Sequence, residues 1–159
     1  MKFLKPEEYQ NKANEIFHTV REQIKDILPR ARVEHVGSSA VPGCISKGDL
    51  DIFVGVDALE FQEVLKKLMK IGFTEKKDTL RTNSLCMMVT NQFDWDVAIQ
   101  VVENGTDWEN FIHFRDILIA NNEINQKYND LKNACVTNNA KEYRQKKSMF
   151  IYEVLGKRH

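Results

Sequence analysis

Two aspartates at the entrance to an apolar run are spaced for metal binding. Asp49 directly precedes the run 50–56, and Asp51 is the second residue of that run. In a β-strand, residues two apart point to the same face, with Cα atoms about 6.5–7 Å apart. Mg²⁺ prefers oxygen ligands and is often held by one or two carboxylates together with substrate phosphates. We therefore predict that Asp49 and Asp51 hold Mg²⁺, or Mn²⁺ in its place.

A glycine–serine turn precedes the aspartates by ten residues. Gly37 would let the backbone approach a ligand closely, and the amides and hydroxyls of Ser38 and Ser39 can donate to phosphate oxygens. The two motifs together suit a metal-bound triphosphate, because the cation neutralises the phosphates while the turn fixes their position. Each motif has an ordinary alternative, a common turn for Gly-Ser-Ser and a turn cap for Asp-x-Asp. Their combination at this spacing favours the phosphate site.

Apolar periodicity predicts the elements that must position these residues. Pro6 suits the first turn of one helix, and Pro29 ends it. A second helix would have its N-cap at Asp57 and its C-terminus at Gly72. The remaining pattern alternates between strands and helices. Helices are predicted over 6–28, 58–71, about 122–136 and about 140–155, with helical periodicity already from Thr106, and strands over 32–36, 50–56, 73–77, 84–90 and 95–102. The fold class is therefore α/β (α+β), a small mixed sheet followed by a helical tail.

Length and composition describe an ordinary globular chain. It has 159 residues, 42% hydrophobic and 29% charged, which suits one domain. Lys plus Arg and Asp plus Glu both total 23, so the formal net charge is zero. Nucleic-acid-binding domains usually carry a basic excess, so we expect no broad nucleic-acid surface, while a local basic patch stays open.

The sequence also predicts where the protein acts. No apolar run approaches the roughly 18 residues of a membrane span, so no membrane partner is expected. Residues 1–7 reach charge and proline too early for a signal peptide. Cys44, Cys86 and Cys135 are odd in number and widely spaced, which is typical of reduced cytosolic thiols. We expect a cytoplasmic protein.

The motif of Gly37–Ser38, a ten-residue spacer and Asp49–Leu50–Asp51 between apolar residues resembles that of the nucleotidyltransferase superfamily. More closely, nearly the whole chain resembles the GrpB-like family within that superfamily. The residues that carry this resemblance are Glu34–Gly43, Val102–Thr106 with Trp108, Phe114–Asp116, Tyr128 through Lys132, and Tyr143 with Lys147, Phe150 and Ile151.

The resemblance implies a nucleotidyltransferase-like fold, in which a small mixed sheet is flanked by helices. It implies a single domain over 1–159, with an α/β core over about 1–105 and a helical tail over about 106–159 packed on it. Relatives of this domain are also found fused to dephospho-coenzyme A kinase, which implies a nucleotide or coenzyme context.

The chain departs from the family pattern at the aspartates. Family members often keep only the residue matching Asp51, so the additional Asp49 favours an active transferase. The strand expected to supply a third ligand commonly reads His-x-His, and here Ala98 and Gln100 stand at those positions.

Two other acids share the parity of that strand. Asp96 is our prediction for the third carboxylate, with Asp94 as its substitute. The alternative is that both belong to a solvated strand face.

Basic and aromatic residues complete the prediction. Lys47 and Lys147 are predicted to contact the triphosphate, although either could instead be solvated. His35 could contact phosphate or base, or be satisfied by a backbone carbonyl. Arg115 could pair with a carboxylate or support packing. The tryptophans, Trp95 and Trp108, fit the core or its rim better than a base-stacking surface.

The expected function is nucleotidyl transfer. The protein would bind a nucleoside triphosphate with Mg²⁺ and transfer a nucleoside monophosphate to an unidentified small molecule or protein. Asp49, Asp51 and Asp96 would hold the metals, and Asp96 would also polarise the acceptor oxygen. The alternatives are a noncatalytic nucleotide- or coenzyme-binding module and an antitoxin-like transferase that modifies a partner protein.

Overall fold

A computed structural model describes residues 1–156. The predicted order of helices and strands is confirmed, with boundaries that shift by a few residues. The helices are α1 (Pro6–Ile27), α2 (Phe61–Lys70), α3 (Asn110–Ala120), α4 (Asn122–Ala134) and α5 (Ala140–Gly156), and the strands are β1 (Arg32–Val36), β2 (Leu50–Val56), β3 (Thr74–Glu75), β4 (Leu85–Thr90) and β5 (Val97–Glu103).

The five strands form one mixed sheet in the order β1-β2-β5-β4-β3. β2 and β5 run parallel at its centre, and the other neighbouring pairs are antiparallel. In this register Asp51 lies opposite Val36 on one side and Ala98 on the other. β2, which carries Asp51, is therefore an interior strand of the sheet. β5, which begins directly after Asp96, lies beside it.

The two faces of the sheet are covered differently. α1 and α2 pack on the face that carries Ile52 and Ile99, both fully buried. Alternation along the strands places Asp51 on the opposite face, together with Phe53. There, a smaller apolar cluster packs on α3 and the turn before it; its members are Val36, Phe53, Leu85, Val102, Trp108, Phe111 and Ile112.

Local caps explain most of the boundaries. Pro6 begins α1, where the Glu8 carboxylate accepts from the Lys5 amide at 2.9 Å. Gly72 ends α2 with a φ of 98°, as predicted. Asp57 is the N-cap residue at the predicted position, but of a 3₁₀ turn (Ala58–Glu60), in which its backbone oxygen accepts from the Glu60 amide and its side chain makes no cap hydrogen bond. The α-helical part, α2, begins only at Phe61.

The C-terminal helices pack through aromatic rings. Tyr128 of α4 stacks on Phe150 of α5 with ring centroids 5.2 Å apart, and Phe114 of α3 meets Tyr128 edge-on at 5.4 Å. Together they cover Val41 and Cys44, so the helical tail lies directly on the chain between β1 and β2. Across residues 1–156, no helix has both the length and the apolar character needed to span a membrane.

Candidate active site

The glycine–serine turn begins where β1 ends. Gly37 has a φ of 74°, and Ser38–Ala40 then form a 3₁₀ turn. A Cβ on Gly37 would lie only 2.6 Å from Oδ2 of Asp51. Glycine is therefore required twice at this position, by its backbone conformation and by the carboxylate packed against it. The two predicted motifs, the turn and the aspartates, are thus in direct contact.

The half-buried Asp51 carboxylate lacks the protein partners that an acid in such a position usually has. Among residues 1–156 it makes no hydrogen bond or ion pair. Burial, and next the negative charge of Asp49, raise the pKa of Asp51 well above its usual range, while Lys147, Lys47 and Lys132 act in the opposite direction. Two acids at one place with cations around them form a site that a cation or an additional proton would stabilise.

Asp49 is oriented by its own loop. The Ser46 hydroxyl donates to Oδ1 of Asp49 at 3.3 Å and accepts from the Gly48 amide at 3.0 Å. Ser46 itself is buried and its backbone pairs with Leu4, which precedes α1. The N-terminal segment therefore helps to hold the loop that carries Asp49.

Helix α4 holds the chain that follows the glycine–serine turn, which we call the serine loop (residues 37–45). The side chain of Asn129 donates to the Gly43 carbonyl at 2.9 Å and accepts from the Ile45 amide at 3.0 Å. Asn125 donates to the Pro42 carbonyl at 3.1 Å. Buried amide side chains on a helix thus replace the backbone partners that this loop would otherwise lack.

Lys132, also on α4, is the third of these side chains and is 1% exposed. Its ammonium donates to Oγ of Ser38 at 2.6 Å, to the Ile45 carbonyl at 2.5 Å and to Sγ of Cys44 at 3.3 Å. It also lies 4.1 Å from the centroid of the Tyr128 ring. Burial lowers the pKa of Lys132 to about 8, so the group remains mostly cationic at neutral pH.

The sequence did not single out these three α4 residues as site residues. A signal was nevertheless present, because Asn125, Asn129 and Lys132 stand at helical spacing on the same face as Tyr128. Polar residues on an apolar helix face must find partners when that face is buried.

The two predicted phosphate-binding lysines do come together. Lys47, beside the aspartates, and Lys147, from α5, lie 5.6 and 6.0 Å from the centroid of the Tyr143 ring. The positive charges of both lysines favour the ionised form of Asp51 and so act to lower its pKa. The structure therefore brings a lysine from α5 to the predicted metal-binding acids beside Lys47, and the contact of both lysines with phosphate stays a prediction.

Ser39 and His35 bind each other. Nε2 of His35 and Oγ of Ser39 are 2.7 Å apart, and the His35 ring stacks on Phe17 at 4.8 Å. Burial, and next the positive charge of Arg115, lower the pKa of His35 to about 4, so the ring is neutral at pH 7. The expected partner of His35 was a backbone carbonyl or a ligand, and the structure gives it a hydroxyl. The Ser39 hydroxyl is engaged in the fold, and its contact with phosphate stays a prediction.

Arg115 links α3 to β1. Its guanidinium donates to Oε1 of Glu34 at 2.8 Å and to the His35 carbonyl at 3.0 Å. Of the two alternatives that the sequence left open for Arg115, pairing with a carboxylate is the one observed, here with Glu34. Because β1 leads directly into Gly37, this pair fixes the helical tail against the strand that positions the serine loop.

The acids proposed as the third ligand lie just before β5 and are exposed. The backbone carbonyl of Asp96 accepts from the Leu50 amide at 2.9 Å, so this residue stands beside the start of β2. Within residues 1–156, no three His, Cys, Asp or Glu side chains are grouped closely enough to hold a metal ion. A centre of Asp49, Asp51 and Asp96 is therefore not assembled in this structure, and the role of Asp96 stays a prediction.

A separate cavity of about 150 Å³ lies at the far end of β2, next to Val56, Asp57 and Asn104. None of the predicted site residues lines it. Its charged rim includes Arg30, which is already paired with Glu60 at 2.5 Å. This cavity does not change the assignment of the site to the start of β2.

The sheet, its flanking helices and the turn-to-aspartate arrangement define a protein of the nucleotidyltransferase fold class. The same fold is found in the RNA terminal uridylyl transferase Cid1, with a TM-score of 0.54 and 17% identity over 77% of this chain and 37% of Cid1. The Cid1 poly(U) polymerase with MgGTP bound gives a TM-score of 0.52 and 19% identity over 72% of this chain and 38% of that chain.

Within that class, this chain belongs to the GrpB protein family, whose model matches residues 5–157. A UPF0157 protein of Vibrio cholerae is 47% identical over 98% of this chain and 82% of its own length. The crystal structure of the conserved protein GrpB from Enterococcus faecalis has a TM-score of 0.78 and 20% identity, covering 98% of both chains. The resemblance inferred from the sequence is confirmed.

Proposed function

We propose that this protein binds a nucleoside triphosphate with Mg²⁺ at the start of β2 and transfers a nucleoside monophosphate to an acceptor hydroxyl. The observation that carries this proposal is the half-buried Asp51 carboxylate, which lies beside Asp49 and Gly37 and near three lysines and makes no hydrogen bond or ion pair with residues 1–156. A half-buried carboxylate without a partner is costly to the fold, and a ligand that neutralises it accounts for its presence.

The residues present fit a hard cation. Asp49 and Asp51 would hold it, because carboxylate oxygens are the protein ligands that Mg²⁺ prefers and phosphate oxygens can complete its shell. When bound, the cation would neutralise charge on the phosphates. Mn²⁺ would fit the same oxygen donors.

The surrounding lysines fit the remaining charge of a triphosphate. Lys47, Lys132 and Lys147 contribute three positive charges against the two of the carboxylates. The Lys132 ammonium donates its hydrogen bonds to protein atoms. We therefore propose that it positions Ser38 and attracts the anionic phosphates through its charge, without binding them directly. Lys47 and Lys147 would pair with phosphate oxygens, and the Ser38 and Ser39 amides would donate to them.

The acceptor requires a group that orients its hydroxyl and takes its proton. We assign this role to Asp96, an exposed carboxylate whose backbone is hydrogen-bonded to the start of β2. Its side chain would act as the general base. Support for nucleotide chemistry in this fold comes from Cid1, whose structures hold MgGTP and MgATP.

A second candidate function is a noncatalytic nucleotide-binding module. The observation that favours it is the lack, within residues 1–156, of three acidic, histidine or cysteine side chains grouped for metal binding. Such a protein would keep the serine loop and Asp51 and bind nucleotide without releasing pyrophosphate. The proposed location for either function is the cytoplasm, supported by three buried free cysteines.

Calorimetric titration with ATP, GTP, CTP and UTP, each with and without Mg²⁺, tests binding. We expect at least one nucleotide to bind in a Mg²⁺-dependent manner to the wild type and not to Asp51→Asn. Equal affinities with and without Mg²⁺ in both proteins would refute the metal site. Asp26→Ala, an exposed aspartate on α1, serves as the control.

Pyrophosphate release with candidate acceptors then separates the transferase from the binder. In a transferase, Asp96→Ala leaves nucleotide affinity within a few-fold and lowers turnover by about 10²–10⁴. Full turnover in both Asp96→Ala and Asp94→Ala would remove this strand from the mechanism. Nucleotide binding without pyrophosphate release from the wild type, under all conditions tested, would favour the noncatalytic module.

A further inference from the structure

The sheet face that carries Asp51 continues sideways across β5 and β4. Ala98 pairs with Asp51 on one side and with Val89 on the other, and Gln100 pairs with Met87 one step further along. Because side chains alternate between the two faces, these four residues share the face of Asp51. We call them the floor (Met87, Val89, Ala98 and Gln100).

The helices leave most of this floor accessible. Met87, Val89 and Gln100 are partly exposed, whereas Ile99 and Val101, which point to the other face, are fully buried. α3 and its preceding turn cover the neighbouring row, at Leu85 and Val102. A carboxamide at Gln100 in the central part of a sheet, with no hydrogen bond to other residues of 1–156, is available to a ligand.

The serine loop and the floor lie on opposite sides of Asp51. The loop follows β1, which pairs with one edge of β2, and the floor belongs to β5 and β4 beyond the other edge. In a phosphoryl-transfer reaction the attacking and leaving oxygens stand roughly in line. With phosphates at the serine loop, the attacking oxygen must approach from the side of the floor.

We propose that the floor is the acceptor subsite and that Gln100 determines which acceptor is taken. This inference rests on the proposed nucleotidyl transfer. The acceptor class is an uncharged hydroxyl compound with a planar, partly apolar body, as in a nucleoside. Ala98, Met87 and Val89 provide apolar contact, and the Gln100 carboxamide offers a donor and an acceptor together, the pair that matches N6 and N7 of adenine.

The charges around the floor favour a small acceptor over a polynucleotide. The floor itself carries no cation. Lys76, whose backbone amide donates to the Met87 carbonyl, has its ammonium already paired with Asp78 at 3.0 Å. A polynucleotide depends on several cations to neutralise its phosphates. A nucleoside has no such requirement.

The test uses the full chain, saturated with Mg²⁺ and α,β-methylene-ATP, which cannot transfer its adenylate. Adenosine is then titrated while NMR follows the side-chain amide of Gln100, assigned by its loss in Gln100→Leu. We expect adenosine to shift this amide and the Met87 methyl group. Gln100→Leu should bind adenosine about ten- to a hundred-fold more weakly and keep the affinity for methylene-ATP within twofold.

Two further variants serve as controls. Gln100→Glu keeps the size of the side chain and should also weaken adenosine binding, while Gln62→Leu, exposed on α2 on the other side of the sheet, should not. No shift at Gln100, or an equal loss in Gln62→Leu, would overturn the acceptor subsite. Binding of an oligoadenylate without binding of adenosine would overturn it in favour of a polynucleotide. Adenosine binding to a protein that fails to bind methylene-ATP would support the floor as a nucleoside site and contradict the proposed nucleotidyl transfer.

Discussion

Gly37 and Asp51 are packed so closely that a Cβ on the glycine would lie 2.6 Å from a carboxylate oxygen. The contact joins the end of β1 to the second residue of β2, a pair of strands in which Val36 and Asp51 are directly opposite. It makes the turn and the acid one structural unit. A change in either residue should therefore affect the other.

Gly37→Ala should destabilise the fold by about 2 kcal/mol or more, because it adds a Cβ at positive φ and forces the Asp51 carboxylate to move. Gly43→Ala is the matched control. Its φ is 82°, but its Cβ would meet only Asn125 at an ordinary 3.6 Å. Urea unfolding measures both, and equal losses would show that the contact with Asp51 contributes nothing. The double variant Gly37→Ala/Asp51→Ala should recover part of the loss.

Asp51→Asn should stabilise the metal-free protein at pH 8 by about 1 kcal/mol, because it removes a half-buried negative charge beside Asp49. The raised pKa of Asp51 sets the sign of the pH dependence. The folded carboxyl takes up a proton at higher pH than the unfolded one, so the gain should shrink as the pH falls towards 4.

Thermal unfolding in EDTA and in excess Mg²⁺ provides the measurement for Asp51. Mg²⁺ should raise the melting temperature of the wild type and not that of Asp51→Asn, since a ligand that binds only the folded state increases stability. Asp94→Asn, an exposed acid, should behave as the wild type in EDTA. A Mg²⁺ response preserved in Asp51→Asn would contradict the assignment of this ligand.

Lys132→Met should lower the free energy of unfolding by about 1–3 kcal/mol and weaken nucleotide binding at least tenfold. The change leaves the Ser38 hydroxyl and the partly buried Ile45 carbonyl without their donor. Lys127→Met on the same helix removes only an exposed pair with Glu123 at 3.8 Å and should be nearly neutral. Hydrogen exchange should show faster opening of residues 37–45 in Lys132→Met alone. Unchanged exchange there would show that α4 does not hold the serine loop.

His35 should make stability fall with acid between pH 6.5 and about 4. The lowered pKa of His35 means that the unfolded chain takes up a proton in this range while the buried folded ring does not. Above pH 6.5 both states are neutral, and below pH 4 both are charged, so the loss is confined to the interval and totals about 3 kcal/mol at most. Urea unfolding at several pH values should show a flatter slope in His35→Gln. His113→Gln should keep the wild-type slope, and identical slopes in all three proteins would contradict the prediction.

The part of the site that could be predicted is local in sequence. Gly37, Ser38, Asp49 and Asp51 lie within one short stretch, and the contact between Gly37 and Asp51 is observed. That both acids share one face stays a prediction from strand alternation. The apolar pattern also predicted the order of the α-helices and strands, because amphipathic helices show a visible period and a strand buried on both faces, such as β2, shows a short apolar run.

The part that could not be predicted depends on which distant elements meet. Lys132 lies 94 residues from Ser38, and Asn129 lies 84 residues from Ile45. Helical spacing places Lys132 on the face of Tyr128, but only the fold shows that its ammonium makes three hydrogen bonds with the serine loop. The use of the Ser39 hydroxyl by His35 was missed for a related reason, since a turn serine can face either a ligand or the preceding strand.

The hold of α4 on the serine loop has a consequence for protein synthesis. Residues 37–45 leave the ribosome long before Asn125, Asn129 and Lys132 are made, and the bonds between them span 83 to 94 residues. A nascent chain that ends before α4 therefore carries both aspartates and the glycine turn but lacks the side chains that give the loop its shape. We therefore expect that a half-made copy cannot form the proposed nucleotide site, which would be completed only when translation is nearly finished.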